Sequence, residues 1–290
     1  MDKIKRNAII LAAGTASRFI PLSTEFPKGL LEVKGEILIE RQIRQLQEAG
    51  IVDITVVVGY KAEMFQYLAD KYGIDIVYNE DYYRYNNTSS IIRVVDRLSN
   101  TFICSSDNYF PKNVFHEKPI QSYYSALYAD GLTDEYCLSV DDYDNIIDVT
   151  VGGSDSWYMV GHVYFSNDFS EFFSKILVSE YDKEETKHGY WEDVYLRYIQ
   201  QLPLMKIHRY KKHDIEEFDS IDELRLFDDS YVHNTRSSII KSIANQLDCS
   251  EADLNSFTRL NHDGDFMMFT FVKDGETYRY NQQNKTIQKL

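Results

Sequence analysis

A chain of 290 residues with 43% hydrophobic and 27% charged side chains, 5 prolines and 13 glycines has a globular composition, which excludes a disordered, collagenous or linker-dominated protein. Its length suits one large domain, or a domain of about 200 residues with a smaller companion. With 46 acidic against 31 basic residues the net charge is −15, which argues against a nucleic-acid clamp or a protein that docks on anionic lipid. Any phosphate handled here must be met by a few placed cations or by a metal.

The run of apolar residues at 8–13 is too short for a signal-peptide core, and no later stretch approaches ~18 apolar residues, so a cytoplasmic protein is expected. Cys104, Cys137 and Cys249 are far apart and form no CxxC pair; neither a disulfide framework nor a zinc site follows. Periodicity gives a strand at 8–12, a helix at 37–49 ending at Gly50, a strand at 54–58, a helix at 61–71, a strand at 74–78, a helix at 89–98 and a strand at 101–105. Repeated β-α-β units of this length imply a mainly parallel sheet with helices on both faces and ligands at the carboxyl ends of its strands. Four short strands are expected between 123 and 165, with turns at Asp130-Gly131 and Gly152-Gly153, as an antiparallel insertion. Helices near 168–179 and 190–200, a strand near 204–209 and a helix near 220–229 complete the main domain, 1–230. Residues 231–290 form a small α+β appendage: a helix at 235–247 and a hairpin turning at Asp274-Gly275.

The loop after the first strand carries most of the chemistry. Ala12, Ala13, Gly14, Thr15 and Ala16 are small enough for their backbone N–H groups to approach an anion, and Arg18 and Lys28 add positive charge in a chain short of it. There is no GxGxxG and no GxxxxGK[ST], so neither a dehydrogenase-type dinucleotide loop nor a P-loop is present. The run LAAGTASRFIPLSTEFPKG resembles the N-terminal signature of the nucleotidyltransferases that activate sugar and alcohol phosphates, with Arg18, Pro21 and Pro27-Lys28 in register. Ala16 stands where that family usually has its second glycine. The resemblance covers about residues 5–230, is nearest to the bacterial phosphocholine cytidylyltransferases, and implies a Rossmann-like nucleotidyltransferase fold.

Two phosphates that must react call for a divalent cation on carboxylates. Asp107 ends the strand at 101–105, and SSDNYF resembles the setting of the family's metal-binding aspartate. By the same resemblance Glu192 is the second Mg²⁺ ligand, with the adjacent Asp193 an open alternative. The stretch from Asn79 to Ser90 resembles a family segment near the base, which implies Asn87 and Ser90 as nucleotide contacts. A quaternary ammonium is held by aromatic faces and carboxylates; the resemblance points to Tyr136 and to Glu217 within IEEFDS, and Tyr190 and Trp191 are candidates because they stand beside the acidic pair. The seven histidines show no HxH, HExxH or triad-like arrangement.

The resemblance implies an enzyme that transfers CMP from CTP to phosphocholine with Mg²⁺, Arg18 and Lys28 neutralising the triphosphate. Other acceptors (2-aminoethylphosphonate, phosphoethanolamine, a sugar 1-phosphate) and a non-catalytic nucleotide-binding regulator are the alternatives. Residues 235–281 faintly resemble the start of a choline-kinase-like amino lobe, which makes the appendage a remnant or an interaction module, a candidate for self-association; the oligomeric state is left open.

Overall fold

A computed structural model of the chain describes residues 4–260 and 267–290. Residues 261–266 (NHDGDF), within the stretch that faintly resembles a choline-kinase-like amino lobe, lie outside the described residues. In chain order the elements are β1 (Asn7–Ala12), α1 (Leu22–Glu25), β2 (Glu32–Val33), β3 (Glu36–Ile37), α2 (Leu38–Glu48), β4 (Ile54–Val58), α3 (Tyr67–Tyr72), β5 (Asp75–Tyr78), α4 (Thr88–Ile92) and β6 (Thr101–Ser105). There follow β7 (Tyr123–Val140), β8 (Ile146–Phe165), α5 (Asn167–Glu180), α6 (Glu184–His188), α7 (Trp191–Arg197), β9 (Lys206–Arg209), α8 (Ile221–Phe227), α9 (Ser238–Gln246), β10 (Asn255–Leu260), β11 (Met268–Lys273), β12 (Glu276–Asn281) and β13 (Thr286–Lys289). Among the described residues no helix is long and apolar enough to cross a membrane.

The chain divides into two compact units, Met1–Gly14 with Ile39–Glu216, and Thr15–Leu38 with Glu217–Leu290. The second unit is assembled from segments on both sides of residue 230, where the sequence pattern changes. Residues 231–290 share a unit with the loop that carries Arg18 and Lys28, a pairing between distant stretches that local periodicity has no means to register.

The first unit is built on a seven-stranded sheet of order β5-β4-β1-β6-β8-β7-β9. β1 pairs in parallel with both β4 and β6, β4 in parallel with β5, and β7 in parallel with β9, while β8 alone runs antiparallel to its neighbours. The expected mainly parallel α/β sheet is what the chain forms. β1 and β4 are buried on both faces and read as continuous apolar runs, as covered parallel strands do. Because successive strands run outward from β1 to β4 and β5 on one side and to β6 on the other, the order reverses between β1 and β6. Their carboxyl ends form the topological switch point where such sheets take ligands.

Two strands replace the four expected between 123 and 165. β7 is 18 residues long and β8 is 20, joined at a turn in which Asp141 accepts from the backbone N–H groups of Tyr143 and Asn145. The residues that read as turns lie beside one another in the ladder, with Thr133 opposite Gly153 and a register shift between Ala129 and Leu132. With Gly131 at φ +91° and Gly152 at φ +78°, both strands bulge at the same level and the hairpin bends rather than ends. Cys137 pairs with both Thr150 and Tyr158, and the tip is tied to the strand region of β9 through Ile207 N–H to Asp144 O.

The second unit holds the four-stranded antiparallel sheet β10-β11-β12-β13 and the short ladder β2-β3. The expected hairpin at Asp274-Gly275 forms, with both residues in the left-handed region that a two-residue turn requires. Phe19, Leu22, Val33, Leu224, Tyr231, Ile240, Ile243, Leu254, Phe269 and Phe271 are among its fully buried apolar side chains.

Candidate active site

The switch point places two expected site segments side by side in the first unit. Leu11 pairs with Ser105 across β1 and β6, and Leu11 O accepts from Ser106 N–H at 3.0 Å, so the start of the loop at Ala12, Ala13 and Gly14 lies beside the turn that carries Asp107. Gly161 on β8 makes room for that turn: a Cβ there would lie 2.3 Å from Ser105 Oγ and 3.0 Å from Asn108 Oδ1. Asp107 is half-buried. Gly14 is exposed, its own Cβ position meets nothing within 4 Å, and the next loop docks on Ala13, whose carbonyl accepts from Tyr60 N–H at 3.1 Å.

Within the second unit, Ala16 sits at φ +47°. An L-residue there is strained by about 1–2 kcal/mol, which explains why a glycine is usual at this point of the signature. Ala16→Gly relieves the strain and adds about 0.5–1 kcal/mol of unfolded-state entropy cost. The net expectation is stabilisation by about 0.5–1 kcal/mol, read as a shift of the urea midpoint at unchanged slope; a destabilised variant shows that the alanine methyl contributes packing that outweighs the strain.

Arg18 and Lys28 converge on one carboxylate that the sequence did not single out. Arg18 Nη1 lies 2.9 Å from Asp219 Oδ2 and Lys28 Nζ 3.7 Å from Asp219 Oδ1, with Lys28 also 5.8 Å from the centre of the Phe19 ring. The Lys28 side chain is 9% exposed and that of Arg18 74%, so one cation is built into the unit and the other reaches Asp219 from the surface. Asp219 belongs to the IEEFDS run noted in the sequence, where Glu217 drew the assignment; Glu217 is exposed. Ser220 caps α8 immediately after Asp219, accepting from Glu223 N–H, while the Glu223 carboxylate accepts from Asp219 N–H at 2.8 Å. That reciprocal cap fixes the backbone from which Asp219 projects.

The other expected residues meet on the first unit, where the 86–88 segment is stitched to the 188–192 segment. Thr88 Oγ1 donates to Gly189 O at 2.7 Å, and Trp191 N–H donates to Asn87 Oδ1 at 2.8 Å. Asn87 Nδ2 then donates to Glu192 Oε2 at 3.2 Å, and Tyr124 OH donates to Glu192 Oε1 at 2.9 Å. Beside it, Asp193 accepts from Tyr136 OH at 3.2 Å and from Tyr190 N–H at 2.7 Å. Burial pushes the Glu192 carboxyl up to about 7, against the pull of the Tyr124 and Asn87 donors, and burial with Asp193 beside it pushes the Tyr136 phenol up to about 12. The rings of Tyr136 and Tyr190 meet edge to face at 6.4 Å.

Two expectations change here. Trp191 is 2% exposed and its indole is core: it stacks on Tyr124 at 5.7 Å and meets the edges or faces of Phe165 and Phe173 at 5.4 and 5.8 Å. It supports the acid pair from beneath instead of forming a cage wall. Ser90 is 4% exposed, and its hydroxyl accepts from buried Asn79 Nδ2 at 3.0 Å; its place is inside α4, not on a base. Asn87 remains half-buried, but its amide is engaged by Trp191 and Glu192. In each case the sequence shows the residue type, whereas its inward side is set by distant partners: Phe165 and Phe173 for Trp191, Asn79 for Ser90.

Magnesium usually keeps one or two carboxylates and several waters or phosphate oxygens, not a full protein cage. Among the described residues no group of three or more His, Cys, Asp or Glu side chains is placed to hold a metal. Glu192, a carboxylate surrounded by neutral donors and like-charged Asp193, fits a cationic guest. Its donor set suits an ammonium as well as a metal.

Residues 8–129 match the MobA-like NTP transferase domain. The chain is 38% identical over 237 residues, 80% of its own length and 96% of the relative's, to a 2-aminoethylphosphonate cytidylyltransferase of Lancefieldella rimae. It is 33% identical over 218 residues, covering 75% and 95%, to a choline-phosphate cytidylyltransferase of Streptococcus pneumoniae. Among solved structures the CTP:phosphocholine cytidylyltransferase LicC of S. pneumoniae superposes with a TM-score of 0.75 at 32% identity, over 78% of this chain and 99% of that one.

Proposed function

We propose, for a chain that belongs to the nucleotidyltransferases with a MobA-like NTP transferase domain and to the cytidylyltransferases among them, that it transfers CMP from CTP to a small phosphate or phosphonate bearing a cationic amine. The observation that carries this reading is the acid pair Glu192–Asp193, held by the phenols of Tyr124 and Tyr136. A sugar 1-phosphate has no positive charge to offer such a pair.

The number of aromatic faces favours one amine over another. A trimethylammonium donates no hydrogen bond and depends on aromatic walls; with Trp191 in the core, Tyr136 and Tyr190 are the two left from the expected set. A primary ammonium has three N–H donors that carboxylates accept. We therefore take 2-aminoethylphosphonate as the first reading, in line with the 38% identical relative. Phosphocholine is the second, supported by the S. pneumoniae relative and by the fold match to LicC.

The roles follow from charge. Arg18 and Lys28 neutralise the triphosphate, and the N–H groups of the Gly14 loop approach its oxygens. Asp107 holds Mg²⁺, with Glu192 as its candidate partner. When bound, the ion supplies Lewis-acid neutralisation of phosphate oxygens. The acceptor oxygen is already ionised near neutral pH, so no side chain needs to act as base, and the protein's task is alignment. Pyrophosphate leaves as the acceptor oxygen bonds to the α-phosphorus.

The experiment is pyrophosphate release from CTP across 2-aminoethylphosphonate, phosphocholine, phosphoethanolamine and glucose 1-phosphate. The expected order of kcat/KM places the two cationic acceptors suggested by the relatives at least ~10-fold above the sugar phosphate, a gap of about 1.4 kcal/mol; equal use of the sugar phosphate rejects the amine site. In Tyr136→Ala the acceptor KM rises more than the CTP KM, and parallel rises place Tyr136 elsewhere.

A further inference from the structure

The relatives matched nearly end to end leave about a fifth to a quarter of this chain outside the alignment, and the C-terminal segment belongs to the same compact unit as the cationic loop. The two are joined by specific side chains. Glu25, which closes α1 between Arg18 and Lys28, accepts from the hydroxyl of Ser237, from Ser238 N–H at 2.7 Å and from Ser238 Oγ at 2.5 Å, so it sits on the first turn of α9. Ser237 simultaneously caps α9 by accepting from Ile240 N–H at 3.1 Å. Further along the loop, Tyr231 OH donates to Glu32 O at 2.7 Å, Arg236 pairs with Glu32 at 3.3 Å, and Asp228 accepts from Lys34 N–H at 2.7 Å.

The carboxylate that joins the two cations is gripped from the same side. Asp219 precedes α8, and α8 is fastened to the C-terminal segment by Arg225, which donates to Leu254 O at 2.6 Å and to Glu251 O at 2.7 Å, and by Asp222, which accepts from Ser256 N–H at 2.7 Å. The Arg225 side chain is 10% exposed, so these bonds are shielded from water. One module thus holds α1, next to Arg18 and Lys28, and α8, next to Asp219.

We propose that residues 231–290 are a positioning module for the triphosphate cations, with Ser237 and Ser238 as positioning residues that act through Glu25. This rests on the reading that Arg18 and Lys28 bind the triphosphate. The hydrogen-bonded α1–α9 junction fixes the stretch of backbone that carries Arg18 and Lys28. Displacing such a loop by even 1 Å costs up to ~10²-fold in rate.

The test uses the full chain. In Ser237→Ala/Ser238→Ala the KM for CTP rises at least ~10-fold while the acceptor KM stays within ~2-fold, and amide hydrogen exchange across residues 17–30 speeds up. Ser237→Thr, which keeps both the cap and the donor, restores both values. Unchanged exchange and unchanged CTP kinetics in the folded double variant overturn the proposal, as does an equal loss for both substrates. Lys28→Ala is run beside it: if CTP binding there equals wild type, the triphosphate reading fails, and faster loop exchange in the serine variant then reports a scaffold without that catalytic consequence.

Discussion

Asp107→Ala loses turnover by at least ~10³-fold, about 4 kcal/mol of transition-state stabilisation, while its circular dichroism and melting temperature stay close to wild type. The turn it occupies is held by backbone bonds from Ser106 to Leu11 and from Asn108 to Ser105, and by the room that Gly161 leaves, none of which needs the carboxylate. Asp107→Asn keeps the side chain's shape and tests charge alone, so a loss of similar size assigns the effect to cation binding. Turnover within ~3-fold of wild type in either variant rejects Asp107 as the metal carboxylate. Glu192→Gln separates the two guests its donor set suits: a rise in the Mg²⁺ concentration for half-activity makes it a ligand, and a rise in acceptor KM alone assigns it to the amine.

Acid is expected to destabilise this protein through a buried histidine, His162, that has no expected catalytic role. His162 is fully buried between Phe102, stacked at 5.8 Å, and the rings of Phe110, Phe115 and Tyr123, and its Nε2 lies 3.3 Å from Tyr123 OH. Burial, with His208 adding to it, lowers its pKa from 6.5 to about 3. Since the folded value lies below the unfolded one, its contribution is complete above pH 6.5 and is lost as the pH falls from 6.5 toward 3. The slope is about 1.4 kcal/mol per pH unit, hence about 2 kcal/mol between pH 6.5 and 5, a range in which most unperturbed carboxylates stay ionised. His162→Phe suits the aromatic box and removes this slope. Parallel wild-type and variant curves of unfolding free energy between pH 7 and 5 show that the imidazole takes up its proton without cost.

How much of this was legible in the sequence depends on how far apart the partners lie along it. The cationic loop announced itself because Ala12, Gly14, Arg18 and Lys28 are close in sequence, and the placement of Asp107 followed from one apolar run, 101–105, ending in a turn. The helices at 61–71 and 89–98 came out shorter, as Tyr67–Tyr72 and Thr88–Ile92 each with a neighbouring 3-10 turn. The bent hairpin was misread because glycines that permit a bulge are the same glycines that make a turn. Asp219 was missed although its run was noted, since its partners Arg18 and Lys28 lie about 200 residues earlier. Trp191 and Ser90 have the right chemistry for a site, and the packing of β8, α5 and Asn79 takes them inside.

Two of the 23 tyrosines gain a meaning from the bonds Tyr124 makes to Glu192 and Tyr136 to Asp193. A lysine would hold either carboxylate as firmly, and in doing so would cancel its charge. A phenol is a neutral tether: it fixes the direction of the acid and leaves its formal charge for whatever cation arrives. The same choice makes the anchoring itself less sensitive to ionic strength, because Debye screening weakens pairs of full charges more than a short dipolar bond. A protein with a net charge of −15 can thus aim its acids without spending cations on them, and salt titrations should weaken capture of the proposed cationic acceptor well before they loosen the side chains that hold those acids.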